Sequence, residues 1–409
     1  MGKILHTIVA AVMLTAAFTT TGVACTSFIV SAKASKSGRP MIFKNRDTGN
    51  LDNCIVEQQG EKYKYVAVVS ASDTKPQDVW SGHNEAGFAI INTAAYNLNG
   101  DITFAEDDEH DGIVMRRALE VCASLADFEH LLDTIKTRNV NSNYGVIDAH
   151  GGCAYYETGL KQWKKFDAND PNIAPYGYLV RTNHGYSGDR SMDLGTERYL
   201  AMSRYMERTS LTGAFDAQQL VRRVPRILTH GLTNVNLYDL EPDDNAQPKF
   251  AHFIDFIPRF STSAAQLIEG VKEGEAPTHT VAWTIIGSPL ATVAMPLVIS
   301  PSGRLPEVVQ RGSDGGSQLC HYGLKLKEKL FPLRTKSRSN YIDVGQLINR
   351  RGTGILQQIE PIEDQLMSKA ATLVDELRTK DAFPTRLFDE YYKWADTFVR
   401  QQYNERFGL

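Results

Sequence analysis

Cys25 stands directly after a stretch that a mature chain would not keep, and that placement constrains what the rest can fold into. Lys3 gives the stretch a positive start. Residues 8–18 are apolar apart from Thr15, and Gly22-Val23-Ala24 puts small residues before the cysteine. This is the layout of a secretory signal peptide, too short and too poorly followed to serve as a membrane anchor. Cleavage after Ala24 leaves Cys25 as the first residue, with a thiol and a free α-amine on one residue. A nucleophile then carries its own base. The fold must therefore gather its working groups around its own chain start. Two other readings of this stretch stay open. Residues 1–24 could form the first helix of the folded domain, or Cys25 could be a lipid attachment site, although Gly22 stands where lipoprotein signals prefer a larger aliphatic residue.

The remainder of the 409 residues suffices for one large domain or two ordinary ones. A formal net charge of −4 argues against a nucleic-acid or anionic-membrane partner. After the leader, no segment has the long uncharged apolar run of a bilayer span. Cys54, Cys122, Cys153 and Cys320 show neither a CxxC pair nor metal-like spacing. Export would permit disulfides, with connectivity open, while Cys122 reads as a buried thiol on a helix face. His83, His150, His184 and His279 each lack a second ligand at metal spacing. No metal and no cofactor is expected.

Residues 25–186 read mostly as strands and turns. Phe28-Ile29-Val30 and Met41-Ile42-Phe43 flank a Ser/Lys/Gly turn and form a hairpin that returns residues 45–47 to the chain start. Residues 63–70 make another strand, and a turn at residues 82–87 leads into residues 88–92. Helical spacing covers residues 113–125 and 128–135. Residues 146–148 and 154–157 form a hairpin around His150-Gly151-Gly152, and residues 178–180 run into Arg181-Thr182-Asn183-His184. A helix is expected over residues 196–208, with Thr196 as its N-cap and Arg198 in its first turn. Residues 281–286 and 291–299 return to strand character. Beyond Gly303, amphipathic helices are marked by Ile359, Ile362, Leu366, Leu373 and Leu377, and by Leu387, Tyr391, Ala395, Phe398 and Val399.

Several short motifs recur here in a fixed order: Cys25-Thr26-Ser27-Phe28, Lys44-Asn45-Arg46-Asp47, Asn84-Glu85-Ala86-Gly87, Thr182-Asn183-His184 and Glu197-Arg198-Tyr199. In that order the chain resembles the N-terminal-nucleophile hydrolases of the choloylglycine hydrolase, penicillin V acylase and isopenicillin-N acyltransferase group. The resemblance covers residues 25–299. It implies an α+β fold, a four-layer α/β/β/α sandwich of two stacked antiparallel sheets. The expected division is a signal peptide at 1–24, the hydrolase domain at 25–302, and a mostly helical extension at 303–409 packed on it.

Carried over residue by residue, the resemblance makes Cys25 the nucleophile and Asp47 the carboxylate beside its amine. Asn183 becomes the side-chain donor to the oxyanion, and Arg198 the cation beside the thiol. Asn92 is taken as the second, backbone donor, with Ala94 as the alternative if the alignment slips by two. Lys44, Arg46 and His184 are expected to contact substrate. One departure stands out: Lys44 occupies a place where bile-salt and penicillin V enzymes carry arginine, and lysine lacks the planar fork. That difference leans towards the isopenicillin-N acyltransferase-like branch. The implied activity is hydrolysis of a small N-acyl amide in an exported, periplasmic or extracellular setting. Acyl transfer to an amine is the alternative, and a lipid-anchored, non-catalytic surface protein the second. Self-cleavage or a signal peptidase could expose Cys25, and assembly into a homo-oligomer stays open.

Overall fold

A turn at residues 35–39 folds two short apolar runs back on each other, and the architecture grows outward from that hairpin. The computed structural model describes residues 24–75, 77–98, 109–135, 138–189, 191, 193–380 and 382–409; the signal peptide expected at 1–24 lies, but for Ala24, outside them. β1 (Thr26–Val30) and β2 (Met41–Asp47) pair antiparallel, with Phe28 opposite Phe43 and Ile29 opposite Ile42. The two Phe rings stack with centroids 4.9 Å apart. Neither strand alternates polar and apolar residues in the usual way, because both are buried along their whole length between two layers.

A meander follows in β3 (Asn53–Gln59), β4 (Lys64–Ser70), β5 (Ser81–Asn84) and β6 (Ala89–Ala94), then the short β7 (Glu109–His110). Helices α1 (Asp111–Val121) and α2 (Leu125–Thr134) come next, the second opened by a capping box between Ser124 and Asp127. β8 (Arg138–Asn139), β9 (Ser142–Ile147), β10 (Cys153–Thr158), β11 (Trp163–Asp167) and β12 (Tyr178–Arg181) lead to α3 (Thr196–Thr212) and α4 (Ala217–Arg223). Then come β13 (Phe250–His252), β14 (Thr262–Glu269), β15 (Val281–Ile286) and β16 (Ala294–Leu297). α5 (Gln318–Leu330), β17 (Tyr341–Asp343), α6 (Val344–Leu347), α7 (Ile355–Thr379) and α8 (Thr385–Phe407) follow.

Thirteen of the strands build two antiparallel sheets, one ordered β12-β1-β2-β14-β15-β16 and the other β11-β10-β9-β6-β5-β4-β3, while β13 pairs antiparallel with β17 and β7 parallel with β8 in separate two-stranded ribbons. β1 and β2 lie across β6, β9 and β10 of the facing sheet. Alternation along a strand sends side chains to opposite faces. In β4, Val66 and Val68 join the core that holds Phe28 and Ile42, while Tyr65, Ala67 and Val69 join a second core with α1 and α2. On the far side, α3, α4 and α7 pack on the outer face of the first sheet. The order is therefore helices, sheet, sheet, helices: an α+β, four-layer α/β/β/α sandwich. No described helix is long and apolar enough to cross a membrane.

Local details differ from the sequence reading. Gly195, not Thr196, caps α3: its φ is +84°, and a Cβ there would collide with the Arg198 guanidinium. The Thr196 hydroxyl instead donates to the Asp193 carbonyl, and the helix runs on to Thr212. The strand expected over residues 291–299 shrinks to β16, because Ala291 and Thr292 donate back to Ser288 in a turn. Cys122 sits just past the end of α1 and is buried, and all five cysteines are unpaired.

Candidate active site

Hairpin register decides which side chains can reach Cys25. Thr26 lies opposite Asn45, so the Lys44-Asn45-Arg46-Asp47 run passes alongside the residue before β1. On the other flank Ser27 lies opposite Arg181, and the residues after Arg181 run back beside Cys25. Their loop is pinned: Asn143 Nδ2 donates to the carbonyls of Thr182 and His184, and the Tyr96 amide donates to the Asn183 carbonyl. α3 then delivers Arg198 from its first turn.

Arg198 ties the pieces together. One of its nitrogens, Nη1, donates to the Cys25 carbonyl at 2.6 Å and to Thr26 Oγ1 at 2.9 Å, while Nη2 donates to Asn183 Oδ1 at 2.7 Å. With its oxygen held, the Asn183 amide turns its NH₂ towards β6, where it donates to the Ala94 carbonyl at 2.9 Å. Burial pulls the Arg198 pKa down to about 10, with Arg259 adding to the effect and Asp47 and Cys25 opposing it. It remains a cation at any physiological pH.

Asp47 is fixed from three sides. Its carboxylate accepts Arg259 Nε at 2.8 Å, Thr262 Oγ1 at 2.6 Å and Asn45 Nδ2 at 3.1 Å. Its backbone carbonyl accepts a long contact from the Cys25 thiol at 3.9 Å. Arg259 also reaches the residue before Cys25, with Nη2 donating to the Ala24 carbonyl at 3.1 Å.

Lys44 is fully buried in the same cavity as Cys25. Its ammonium donates to the Trp80 carbonyl at 2.8 Å and to Asn92 Oδ1, and Asn92 Nδ2 passes the chain on to Asp111 at 3.0 Å. Burial lowers the Lys44 pKa to about 8; Cys25 and Asp111 pull it up and Arg46 pushes it down. Burial likewise raises the Asp111 carboxyl against the hydrogen bonds from Ser142 and Asn92. The cavity measures about 310 Å³ and is lined by Trp80, Ala94, Tyr96 and His110 besides these residues.

Of the residues expected from the sequence, Cys25, Asp47, Asn183 and Arg198 thus form one connected group, with Lys44 and Asn92 in the adjoining cavity wall. Asn92 spends its side chain on Lys44 and Asp111. Ala94, the alternative, lines the cavity and receives Asn183. Arg46 also borders the cavity, but its guanidinium is held by Asn53, Ser263 and Ser70 and stacks on Trp80 at 4.8 Å. His184 lines a different recess, with Tyr186 and Tyr199, and its Nδ1 lies 3.1 Å from the Leu194 carbonyl. His83 is buried and pulled down to about 4 by desolvation, hence uncharged, and His150 is exposed. Sequence reasoning passed over Arg259 and Thr262, which lie in or beside the aperiodic stretch before β14, and also Trp80, Tyr96 and Asp111. Their only local signal is aromatic or charged residues next to strand ends.

The chain matches the acyl-coenzyme A:6-aminopenicillanic acid acyl-transferase family over residues 33–278, a span that begins after Cys25. No curated sequence matches it. Among solved structures it is similar to a mutant of the conjugated bile acid hydrolase from Clostridium perfringens, at 10% identity over 67% of this chain and 92% of that one, with a TM-score of 0.39. It is also similar to the Caenorhabditis elegans ortholog of N-acylethanolamine-hydrolyzing acid amidase, at 14% identity, 62% and 93% coverage, and a TM-score of 0.37. For penicillin V acylase from Agrobacterium tumefaciens the figures are 13%, 67% and 86%, and 0.36. Superpositions this loose carry nothing by themselves. The family match does: it spans more than half of the sequence and includes Asp47, Asn183, Arg198 and Arg259, and by it the chain belongs to the acyl-coenzyme A:6-aminopenicillanic acid acyl-transferase family, among the N-terminal-nucleophile enzymes of amide and acyl-transfer chemistry.

Proposed function

We propose that the protein is an exported amidohydrolase that cleaves a linear N-acyl amide of a small substrate, with Cys25 as N-terminal nucleophile. The observation that carries this reading is the Arg198 bridge, which joins the Cys25 carbonyl to the Asn183 amide beside the thiol. Once Cys25 is the first residue, its α-amine, with an ordinary pKa of about 7.7–8.0, takes the thiol proton. The thiolate attacks the amide carbon, and the oxygen that gains charge is met by the Asn183 NH₂ and a backbone N–H of β6. A donor fixed in place acts selectively on charge that exists only in the transition state. The carbon–nitrogen bond then breaks, the leaving amine takes the proton back from the Cys25 ammonium, and a thioester remains. Water, deprotonated by the same amine, attacks the thioester, releasing the acid and restoring the thiol. Asp47 holds the ammonium form near the nucleophile.

Acyl transfer shares every step up to the thioester and differs only in the acceptor; the family's own name favours keeping it in view. Lipid attachment fits less well, because Cys25 is only 2% exposed and a diacylglyceryl group on its sulfur would have to enter the core.

Intact mass and N-terminal sequencing of protein from the native export route should show an unblocked Cys25, and Cys25→Ala should fold yet turn over no N-acyl amide. A fully active chain that starts upstream of Cys25, or one with lipid on the sulfur, would sink the mechanism.

A further inference from the structure

A second cavity, of about 520 Å³, adjoins the first. Thr48 borders both, and Arg259 lines the second while pairing with Asp47 at the nucleophile. Its floor is apolar: Leu51, Phe253, Ile254 and Phe260. Its charged lining residues are Arg259, Lys336 and Arg338, and no carboxylate is among them. Lys336 and Arg338 have no acidic partner among the described residues. Arg338 Nε is buried without a hydrogen-bond partner, and its guanidinium lies 5.4 Å from the Phe260 ring centroid, so the cation is placed over the floor. Arg259 is satisfied here by Asp47, by Asp255 at 3.7 Å and by the Ala24 carbonyl. Removal of the chain up to Ala24 takes the last of these away and leaves Nη2 without that acceptor.

We infer that this second cavity is a subsite for the leaving half of the substrate, and that it takes an amino acid with an apolar side chain and a free carboxylate. An apolar floor under uncompensated cations suits an amphipathic anion: the side chain is removed from water and the carboxylate gains charge-assisted hydrogen bonds. The acyl half then occupies the cavity of Trp80 and Tyr96, with the scissile bond passing Cys25 between the two. Residues 336–340, which form one wall, lie outside the family-matched span of 33–278, so this selectivity is supplied by the C-terminal segment of this particular chain.

The inference rests on the amidohydrolase reading for its chemistry but not for its binding, and the two separate in one set of measurements. Calorimetry with the mature protein should show N-acetyl-leucine binding about tenfold or more tighter than N-acetyl-leucinamide, the loss expected when a charge-assisted bond goes. The double variant Lys336→Gln, Arg338→Gln should erase that difference, leave amide binding unchanged and raise KM for a longer N-acyl-leucine with little effect on kcat. Lys336 is exposed, so Lys336→Glu alone carries the test if changing Arg338 disturbs folding; it should weaken acid binding several-fold. Equal binding of acid and amide, or full discrimination retained in the variants, overturns the subsite even if N-acyl amides are cleaved. Discrimination without any cleavage leaves the subsite standing and removes the amidohydrolase reading.

Discussion

Lys44 places a titratable amine in the cavity of Cys25, the proposed nucleophile, where an arginine would be a fixed cation. With its pKa lowered to about 8 by burial, and with Cys25, Arg46, Asp111 and Asp47 as its charged surroundings, it is protonated below that pH and neutral above it. The proposed base, the Cys25 α-amine, must be neutral to work, so it governs the acid side of the profile. Lys44 acts in the opposite sense: a cation beside the thiolate favours it, so loss of the proton should cost activity on the alkaline side. The kcat/KM profile of the parent should therefore fall above about pH 8, and Lys44→Arg should remove that fall while leaving the acid limb in place. Lys44→Met should lower kcat/KM about tenfold or more at neutral pH, the scale of one charge-assisted contact. An alkaline limb unchanged in Lys44→Arg would take Lys44 out of the chemistry. At this scale the sequence was informative where motif order reflects register. Asp47, Asn183 and Arg198 stand far apart in the chain and meet at Cys25 because β2 and β12 flank β1. In the bend after β12 it is Asn183 that Arg198 holds, while His184 lines the separate recess of Tyr186 and Tyr199. The sequence was silent on Arg259, whose position follows from a loop with no periodicity to read.

Glu363 shows what element-level patterns leave out. The spacing of Ile359, Ile362 and Leu366 reveals the buried stripe of α7, but Glu363 beside Ile362 reads as a solvated position. The side chain is 0% exposed. It accepts Arg226 Nη1 at 2.6 Å and Nη2 at 2.8 Å, takes the Ala294 amide at 2.7 Å, and lies 3.3 Å from Arg222 Nε. One carboxylate thus joins α7 to the end of α4 and to the start of β16, through partners distant in sequence. Burial alone would raise its pKa, but Arg226 and these hydrogen bonds outweigh it and hold the carboxyl below its ordinary range. For a carboxylate lowered in the folded state, the stabilisation is present above the unfolded-state pKa and is lost as pH falls through the folded one. Glu363→Ala should cost about 3–5 kcal/mol in urea unfolding, because Arg226 is left buried without its counter-charge. Adding Arg226→Met should recover part of that loss. A neutral Glu363→Ala would show that the pair does not hold α7 in place.

The C-terminal segment raises the question of whether residues 303–409 are a detachable cap. Sequence composition shifts after Gly303, and amphipathic helices alone suggest an addition to a finished domain. Packing points the other way. Ile359, Ile362, Leu366 and Leu377 of α7, and Tyr392, Ala395 and Val399 of α8, belong to the same core as Phe28, Ile42 and Leu267. The Val298 amide donates to the Tyr392 hydroxyl at 3.3 Å, and the Tyr403 hydroxyl donates to the Ala291 carbonyl at 2.9 Å. β17 pairs with β13, so this segment also braces the stretch that leads to Arg259. A fully buried Leu or Ile contributes about 1.5–3 kcal/mol, whereas a whole domain is stable by only about 5–15 kcal/mol. Deleting the segment takes these seven side chains out of the core and bares the sheet face they cover; the four Leu and Ile alone represent about 6–12 kcal/mol, comparable with that whole margin. A chain ending at residue 302 should therefore lack cooperative urea unfolding, bind a hydrophobic dye and lose near-ultraviolet dichroism, while the full chain unfolds in one transition. If the shortened protein instead unfolds cooperatively at an unchanged midpoint, the helices are a cap on a self-sufficient domain, and their contribution is confined to the wall at residues 336–340.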